Sequence, residues 1–363
     1  MRHQAPASSA FPAYPASWYL YCSSSQLGRR PLSKTMLGRQ LVAFRTVSGQ
    51  VAILDGRCAH LGADLGGGRV VGESLRCPYH NWEYGTDGRC TRIPGLCSEI
   101  PRFACQAAYP VEERCGHVFF FNGPKPLFPL PFFFDVEPGE VTASVPFRFV
   151  ANCTWYLFAS HAFDLQHFVA VHDRRLLGLP VIDCPAPFAR RNRYSAVIEG
   201  TSIYDRLLRT FVSRQVDISI TTWGGTLFFL TGHFRRARSR FLVAAQPIDG
   251  DRTLAEGIVF TRRGRNRVAR AVFDPVSLWV RWLFTRGYLI DEASRLGSPH
   301  YSPTTMVETD QDMIDFFQWM VDVSRDPEGE GAPRTRERQD MEKVGANGNG
   351  RTDAHQLEVG REA

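Results

Sequence analysis

The sequence predicts an α+β chain, an all-β region followed by a region of antiparallel strands and helices. Between residues 18 and 121, short apolar runs such as Leu41-Val42-Ala43-Phe44 and Val51-Ala52-Ile53-Leu54 are split by Gly49 and Gly56, a pattern of strands. Beyond residue 140, strand-like pieces alternate with helical stretches. At 363 residues, with 44% apolar and 12% aromatic side chains, the chain can build two modest cores.

In order along the chain, residues 1–16 are rich in Ala, Pro and Ser and read as a flexible arm. Residues 17–123 read as the β domain, with 118–121 a further apolar run. Residues 124–139 read as a connector, because Pro124, Pro126, Pro129 and Pro131 break an otherwise aromatic stretch. Residues 140–324 form the second domain. It opens with a strand at 145–150 and a helical segment at about 154–171. Strands follow at 217–222, 226–231, 240–246 and 254–261, with Asp249-Gly250 marking a hairpin turn between the last two. In 310–323, Met313, Ile314, Phe317 and Val321 fall on one helix face. After Ser324 apolar residues almost vanish, so 325–363 reads as a disordered tail. There is no internal repeat.

Nine cysteines in this length do not make a disulfide scaffold. Those outside the motif below read as free thiols of a reducing compartment. The net charge is +6, and only Lys34, Lys125 and Lys343 are lysines. The arginine excess reflects either GC-rich coding or a basic face that meets an acidic electron donor. Nothing further supports nucleic-acid binding. No charged segment precedes an apolar run at the N-terminus, so no signal peptide is expected. No stretch of about 18 apolar residues exists; residues 272–289 contain Asp274, Arg281 and Arg286 and read as an amphipathic helix. The expected location is soluble and cytoplasmic.

The chemistry starts at Cys58-Ala59-His60, followed after sixteen residues by Cys77-Pro78-Tyr79-His80. Two thiolates and two imidazoles, one of each per loop, suit a [2Fe–2S] cluster of the Rieske type, where one iron takes two Cys and the other two His. Zinc uses the same donors, but typically with both Cys in one loop and both His on one helix. The interleaved order argues against it. Gly62 and Gly66-Gly67-Gly68 supply turns for a close backbone approach, Pro78 stiffens the second loop, and Trp82 is placed to cover it. Such a cluster passes single electrons, so an acceptor must follow.

The segment His161-Ala162-Phe163-Asp164-Leu165-Gln166-His167 with His172 supplies the candidates. On one helix, His161 and Asp164 share a face, as do Asp164 and His167. His172 lies about 140° round from His167, so both can bind one ion only if the helix ends or bulges within 168–171. Two His and one carboxylate leave open positions on a mononuclear Fe(II). Asp310 is the best third ligand; its bland alternative is a first-turn carboxylate favoured by the helix dipole. Taken alone, His167 and His172 read as structural histidines. Phe163, Phe168, Phe211, Trp223 and Phe228 could line a pocket, although an aromatic stripe is more often core.

Together these features resemble the catalytic subunit of a Rieske non-haem iron oxygenase, over most of the chain from Trp18 to Gln318. The carrying residues are Ala16-Ser17-Trp18-Tyr19, Leu37-Gly38-Arg39, both cluster loops, Gly88-Arg89-Cys90, Ile93-Pro94, Asp164-x-x-His167-x4-His172, and Glu308-x-Asp310 with Gln318. The stretch from His60 to His80 resembles the subgroup of aminopyrrolnitrin oxygenase, 3-ketosteroid 9α-hydroxylases and cholesterol 7-desaturases, which act on bulky apolar compounds.

The resemblance implies a Rieske domain joined to a helix-grip catalytic domain. It implies a [2Fe–2S] cluster on Cys58, His60, Cys77 and His80, and mononuclear Fe(II) on His167, His172 and Asp310. It further implies a head-to-tail homotrimer, in which Asp164 bridges His80 of one subunit to His167 of the next. The expected activity is O2-dependent monooxygenation of a hydrophobic, ring-containing compound, with N-oxygenation of an arylamine or desaturation as alternatives. Electrons come from NAD(P)H through a separate reductase or ferredoxin. Two departures stand out. Asn81 replaces a common Gly, and His161 replaces a common Asn. His161 reads as an alternative ligand, a proton donor or a hydrogen-bonded structural residue. The rival of another class is an electron carrier that keeps the cluster and lacks the iron.

Overall fold

The computed structural model describes residues 4–325 except 172 and 296. The expected tail at 325–363, apart from Arg325, and His172 lie outside the described residues. The first region is β throughout. Trp18–Ser23, His117–Phe121 and Val111–Arg114 form a three-stranded antiparallel sheet. Leu32–Met36, Arg39–Arg45, Val51–Asp55 and Ala108–Tyr109 form a second sheet of four strands. A small third sheet, Arg69–Val71, Ser74–Arg76, Glu83–Tyr84 and Cys90–Arg92, carries the cluster loops at its edge.

The second region is built on a nine-stranded antiparallel sheet. Its path runs Val141–Ala143, Thr253–Arg262, Arg238–Pro247, Leu227–Phe234, Gln215–Trp223, Ala189–Ile198, Arg174–Leu176. Phe147–Ala151 pairs with Thr253–Arg262, and Val181–Ala186 with Ala189–Ile198. All four strands expected between 217 and 261 are present and longer than the apolar runs alone suggest. The helices, in chain order, are α1 (Trp155–Ser160), α2 (Leu165–Ala170), α3 (Ile203–Leu207), α4 (Asp274–Arg295) and α5 (Gln311–Val323).

Both faces of this sheet are buried, which is why its central strands read as continuous apolar text rather than alternating. Leu227, Phe229, Leu242, Ala244, Ile258 and Phe260 pack on one face against Trp18, Phe121, Phe128 and Phe133. Phe228, Val243, Ala245, Ile220 and Tyr194 face the other way, toward α1 and α5. The Pro-rich connector is therefore no free linker. Its Phe128, Leu130, Phe133 and Val136 seal the sheet against the first region.

The N-terminal residues 4–16 also depart from the expected flexible arm. Phe11 stacks on Tyr156 at 4.0 Å and meets Trp155, Tyr301 and Phe317 edge-on. The Trp155 indole donates to the Pro12 carbonyl at 3.0 Å. Composition alone misses this, because one aromatic ring in a prepared box outweighs the polar text around it.

The helical segment at 154–171 is broken in a place the spacing did not indicate. After α1 the chain makes a single tight turn at His161–Phe163, and Asp164 is extended (φ −85°, ψ 95°). The Asp164 carboxylate then accepts the His167 amide at 2.9 Å and caps α2. The expected interruption within 168–171 is met by α2 ending at Ala170. His161 and His167 thus sit on different elements.

One tight contact in the sheet is directly testable. A Cβ on Gly257 would lie 2.2 Å from the Phe147 ring. Gly257→Ala is expected to cost about 1–3 kcal/mol through overpacking, read as a lower midpoint in urea denaturation with an unchanged slope.

Candidate cluster and metal site

The two cluster loops are brought face to face. Cys58 begins a turn closed by the Gly62 amide on its carbonyl at 2.8 Å, with Gly62 at φ +71°. Asp64 caps the Gly66 amide at 2.7 Å. Gly68 is needed for contact with the neighbouring strand, since a Cβ there would lie 2.3 Å from the Arg76 carbonyl. The second loop is closed by the Cys77 amide on the Trp82 carbonyl at 2.8 Å. The flanking strands are braced by Arg76 and Arg92 on the buried Glu83 carboxylate at 2.7 and 3.0 Å. Asn81 takes φ +58°, which Asn tolerates better than most residues and which accounts for its standing where Gly is common.

Cys58 and Cys77 are buried, whereas His60 and His80 are exposed. The imidazole centroids lie 4.7 Å apart, and His60 stacks flat on Trp82 at 4.5 Å. Burial pushes the Cys77 thiol above its ordinary value, and the Tyr79 and His80 amides oppose it by favouring the thiolate. Two adjoining inner sulfurs and two adjoining outer imidazoles match what a Rieske cluster requires. Cys58, Cys77, His60 and His80 would hold such a cluster, which would supply single-electron transfer there. Burial, with the Cys58 thiol second, holds the Tyr84 hydroxyl far above its usual range, and its oxygen lies 3.1 Å from Cys58 Sγ.

The second site lies on the helix-covered face of the large sheet. His161, His167 and Glu292 each bring a ligand atom within 4.8 Å of the others. His167 Nε2 is 2.5 Å from Glu292 Oε1, and the two imidazole centroids are 4.2 Å apart. They border an otherwise apolar chamber of 170 Å³ walled by Phe158, Phe168, Phe228, Phe241 and Val243. Two imidazoles and one carboxylate fit a mononuclear Fe(II) that keeps open positions.

The sequence reading placed His167 here and left His161 open. It did not single out Glu292, which stands 125 residues further along the chain. Its only signal was its place four residues after Tyr288 on α4, which puts both on one helix face. Asp310 is not brought into this group. Its carboxylate accepts the Val307 amide at 2.9 Å and the Gln166 side-chain amide at 3.2 Å. That is the first-turn arrangement, next to α2 but turned to its own helix start. Asp164 is half-buried and caps α2, which by itself explains a charge in apolar surroundings. Of the five aromatics singled out, Phe168 and Phe228 line the chamber and Phe211 lines a second, larger cavity. Phe163 stacks on Phe316 in the core, and the half-buried Trp223 stacks on Phe128 and the exposed Phe134.

The placement of α4 decides the site. Arg174 and Asp205 form a buried ion pair at 2.7 Å. Arg174 also hydrogen-bonds the Tyr288 hydroxyl, whose pKa burial pushes well above its ordinary value. Tyr288 thereby ties the turn of α4 preceding Glu292 to the sheet. At the first site, Tyr84→Phe is expected to lower the cluster reduction potential by about 60 mV, the equivalent of one hydrogen bond of about 1.4 kcal/mol in a one-electron couple. Protein-film voltammetry reads the shift.

A Rieske [2Fe-2S] domain model matches residues 17–110. Aminopyrrolnitrin oxygenase of Pseudomonas fluorescens is 35% identical over 166 residues, covering 43% of this chain and 46% of the relative. Cholesterol 7-desaturase of Xenopus laevis is 40% identical over 172 residues, covering 46% and 38%. The chain thus spans less than half the length of these curated relatives. Dicamba monooxygenase bound to dicamba superposes with TM-score 0.60 at 17% identity, covering 85% of this chain and 97% of that one. NdmB of Pseudomonas putida CBB5 gives 0.62 at 18%, covering 88% and 92%. Residues 17–110 are thus a Rieske [2Fe–2S] domain, and the chain is similar in sequence to parts of Rieske oxygenases and shares the fold of dicamba monooxygenase and NdmB.

Proposed function

We propose that this protein is an O2-dependent oxygenase that hydroxylates a hydrophobic, ring-containing small molecule. Its electrons come from NAD(P)H through a separate reductase or ferredoxin. The observation that carries the reading is the convergence of His161, His167 and Glu292 at the edge of an apolar chamber, in a chain that also holds a Cys/His cluster set. When bound, the cluster would supply single electrons and the mononuclear iron would activate O2.

The chain's own residues do the rest. Phe158, Phe228, Phe241 and Val243 exclude water and hold apolar substrate by burial alone. Ile218, Leu230, Phe241 and Tyr288 are shared with an adjoining cavity of 640 Å³, which extends the space available. Asp164 holds the start of α2 and so fixes where His167 stands. In the assembled enzyme its carboxylate would bridge His80 of one subunit to His167 of the next, within a homotrimer. Exposed Leu61 and Tyr79 beside the cluster imidazoles support a partner surface there. Desaturation by the same site is the second reading, favoured by the resemblance to a 7-desaturase.

Iron and acid-labile sulfide are measured on protein purified without oxygen. About three iron to two sulfide is expected for a cluster plus a mononuclear site. Glu292→Gln is expected to lower the iron to about two while leaving the sulfide unchanged. If Asp310→Asn or His172→Ala removes the third iron and Glu292→Gln does not, the ligand set is His167, His172 and Asp310. Two iron to two sulfide in the unsubstituted protein, persisting after added Fe(II), would make the chain an electron carrier.

Asp164→Asn keeps a capping oxygen, so both metals are expected to stay bound. Turnover with natural electron donors is expected to fall by about a hundredfold or more, as for loss of a partner that orients a metal ligand. Wild-type turnover in this variant would remove Asp164 from the electron path.

A further inference from the structure

Helix α4 is covered by the protein on only part of its circumference. Val276, Trp279, Val280 and Leu283 on the helix, with Val272 and Phe273 in the turn that leads into it, are all exposed. They recur every three or four residues and so form one apolar stripe. Trp279 is 61% exposed and Phe273 66%. Across the 640 Å³ cavity that Val280 helps to line stand Leu207 and Phe211, and Phe211 is 68% exposed. The patch is therefore continuous round the mouth of that cavity. Apolar surface gathered in this way marks an interaction site.

The charge beside it is one-sided. From residue 262 to 286 the sequence has seven arginines and a single acid, Asp274. That acid is buried and accepts the Gly264 amide at 2.8 Å, so it does not offset the surface charge. The turn at 234–238 adds Arg235, Arg236 and Arg238, and the Arg281 guanidinium fastens it to α4 by donating to the Arg238 carbonyl at 2.8 Å. Among the described residues, none of Arg235, Arg236, Arg238, Arg265, Arg267 and Arg270 forms an ion pair, and all are exposed. A second copy packed symmetrically on this face would set like charge against like. Nor is any described helix long and apolar enough to cross a membrane.

We propose that this face docks on an anionic lipid bilayer, with α4 lying in the plane of the headgroups. Trp279, Phe273 and Phe211 enter the acyl boundary, and the arginines meet phosphate oxygens. The docked face carries the mouth of the cavity, so an apolar molecule dissolved in the bilayer has a path toward the chamber beside His167. The docking itself does not depend on how the metal site is read.

The test is flotation of the full chain with phosphatidylcholine vesicles, with and without phosphatidylglycerol. The protein is expected to float with the anionic vesicles and to be released by high salt, which screens the arginines. Each arginine removed is expected to weaken partition about fivefold, so Arg265→Gln with Arg267→Gln gives a loss of about 25-fold. Phe273→Ser with Trp279→Ser is expected to weaken it about tenfold or more. Cluster absorbance verifies that each variant is folded. No flotation with either vesicle overturns the proposal, as does flotation that neither variant changes. Light scattering that shows the serine variant dissociating a wild-type oligomer, without vesicle binding, would assign the stripe to a second copy of the chain.

Discussion

A nine-stranded sheet whose strands carry apolar side chains on both faces has to be covered twice, and the two covers divide the work of this molecule. One face is closed by the connector and the first region, through Phe128, Leu130, Phe133, Trp18 and Phe121. That cover fixes the cluster-bearing sheets against the larger region. The other face is closed by α1, α5 and the N-terminal residues, with Phe11 seated among Tyr156, Tyr301 and Phe317. This second cover is incomplete toward α4, and the uncovered part is the chamber. The site therefore sits where a large apolar sheet runs short of packing partners, which leaves an apolar chamber beside His167.

The polar groups at the chamber are held by structure outside it. Asp164 leaves the helical conformation to cap α2, and the resulting break sets His161 and His167 at an angle a continuous helix would not allow. The buried Arg174–Asp205 pair and the Tyr288 hydroxyl anchor α4 one turn before Glu292. A buried pair of this kind adds little net stability, but loss of one partner leaves an uncompensated charge. Its role here is placement. The cluster loops use the same device, with Arg76 and Arg92 on the buried Glu83.

Burial also sorts the donor atoms at the first site. The thiols lie inside and the imidazoles outside, so the imidazole half of the site is the half that faces solvent. Trp82 keeps His60 from swinging free by stacking on it. The exposed Leu61 and Tyr79 make the rim apolar, as a docking surface requires.

The sequence by itself determined the α+β class, the cluster loops, the strands from 217 to 261 and the C-terminal helix. Each of these rests on local text: ligand spacing within a loop, turn residues between apolar runs, or a helix stripe. Tertiary structure decided the rest. Phe11 and the connector phenylalanines look like parts of flexible segments until the sheet faces that receive them exist. The break at Asp164 is a contest between helix continuation and a side-chain cap, and spacing does not rank the two. Glu292 reaches His167 only because α4 is laid across the sheet by partners from α3 and the strand Arg174–Leu176. Asp310 offered the better local pattern, but its carboxylate is taken by its own helix start and by Gln166. A pair of side chains that meets from positions 125 residues apart is a property of packing, which one-dimensional spacing does not encode.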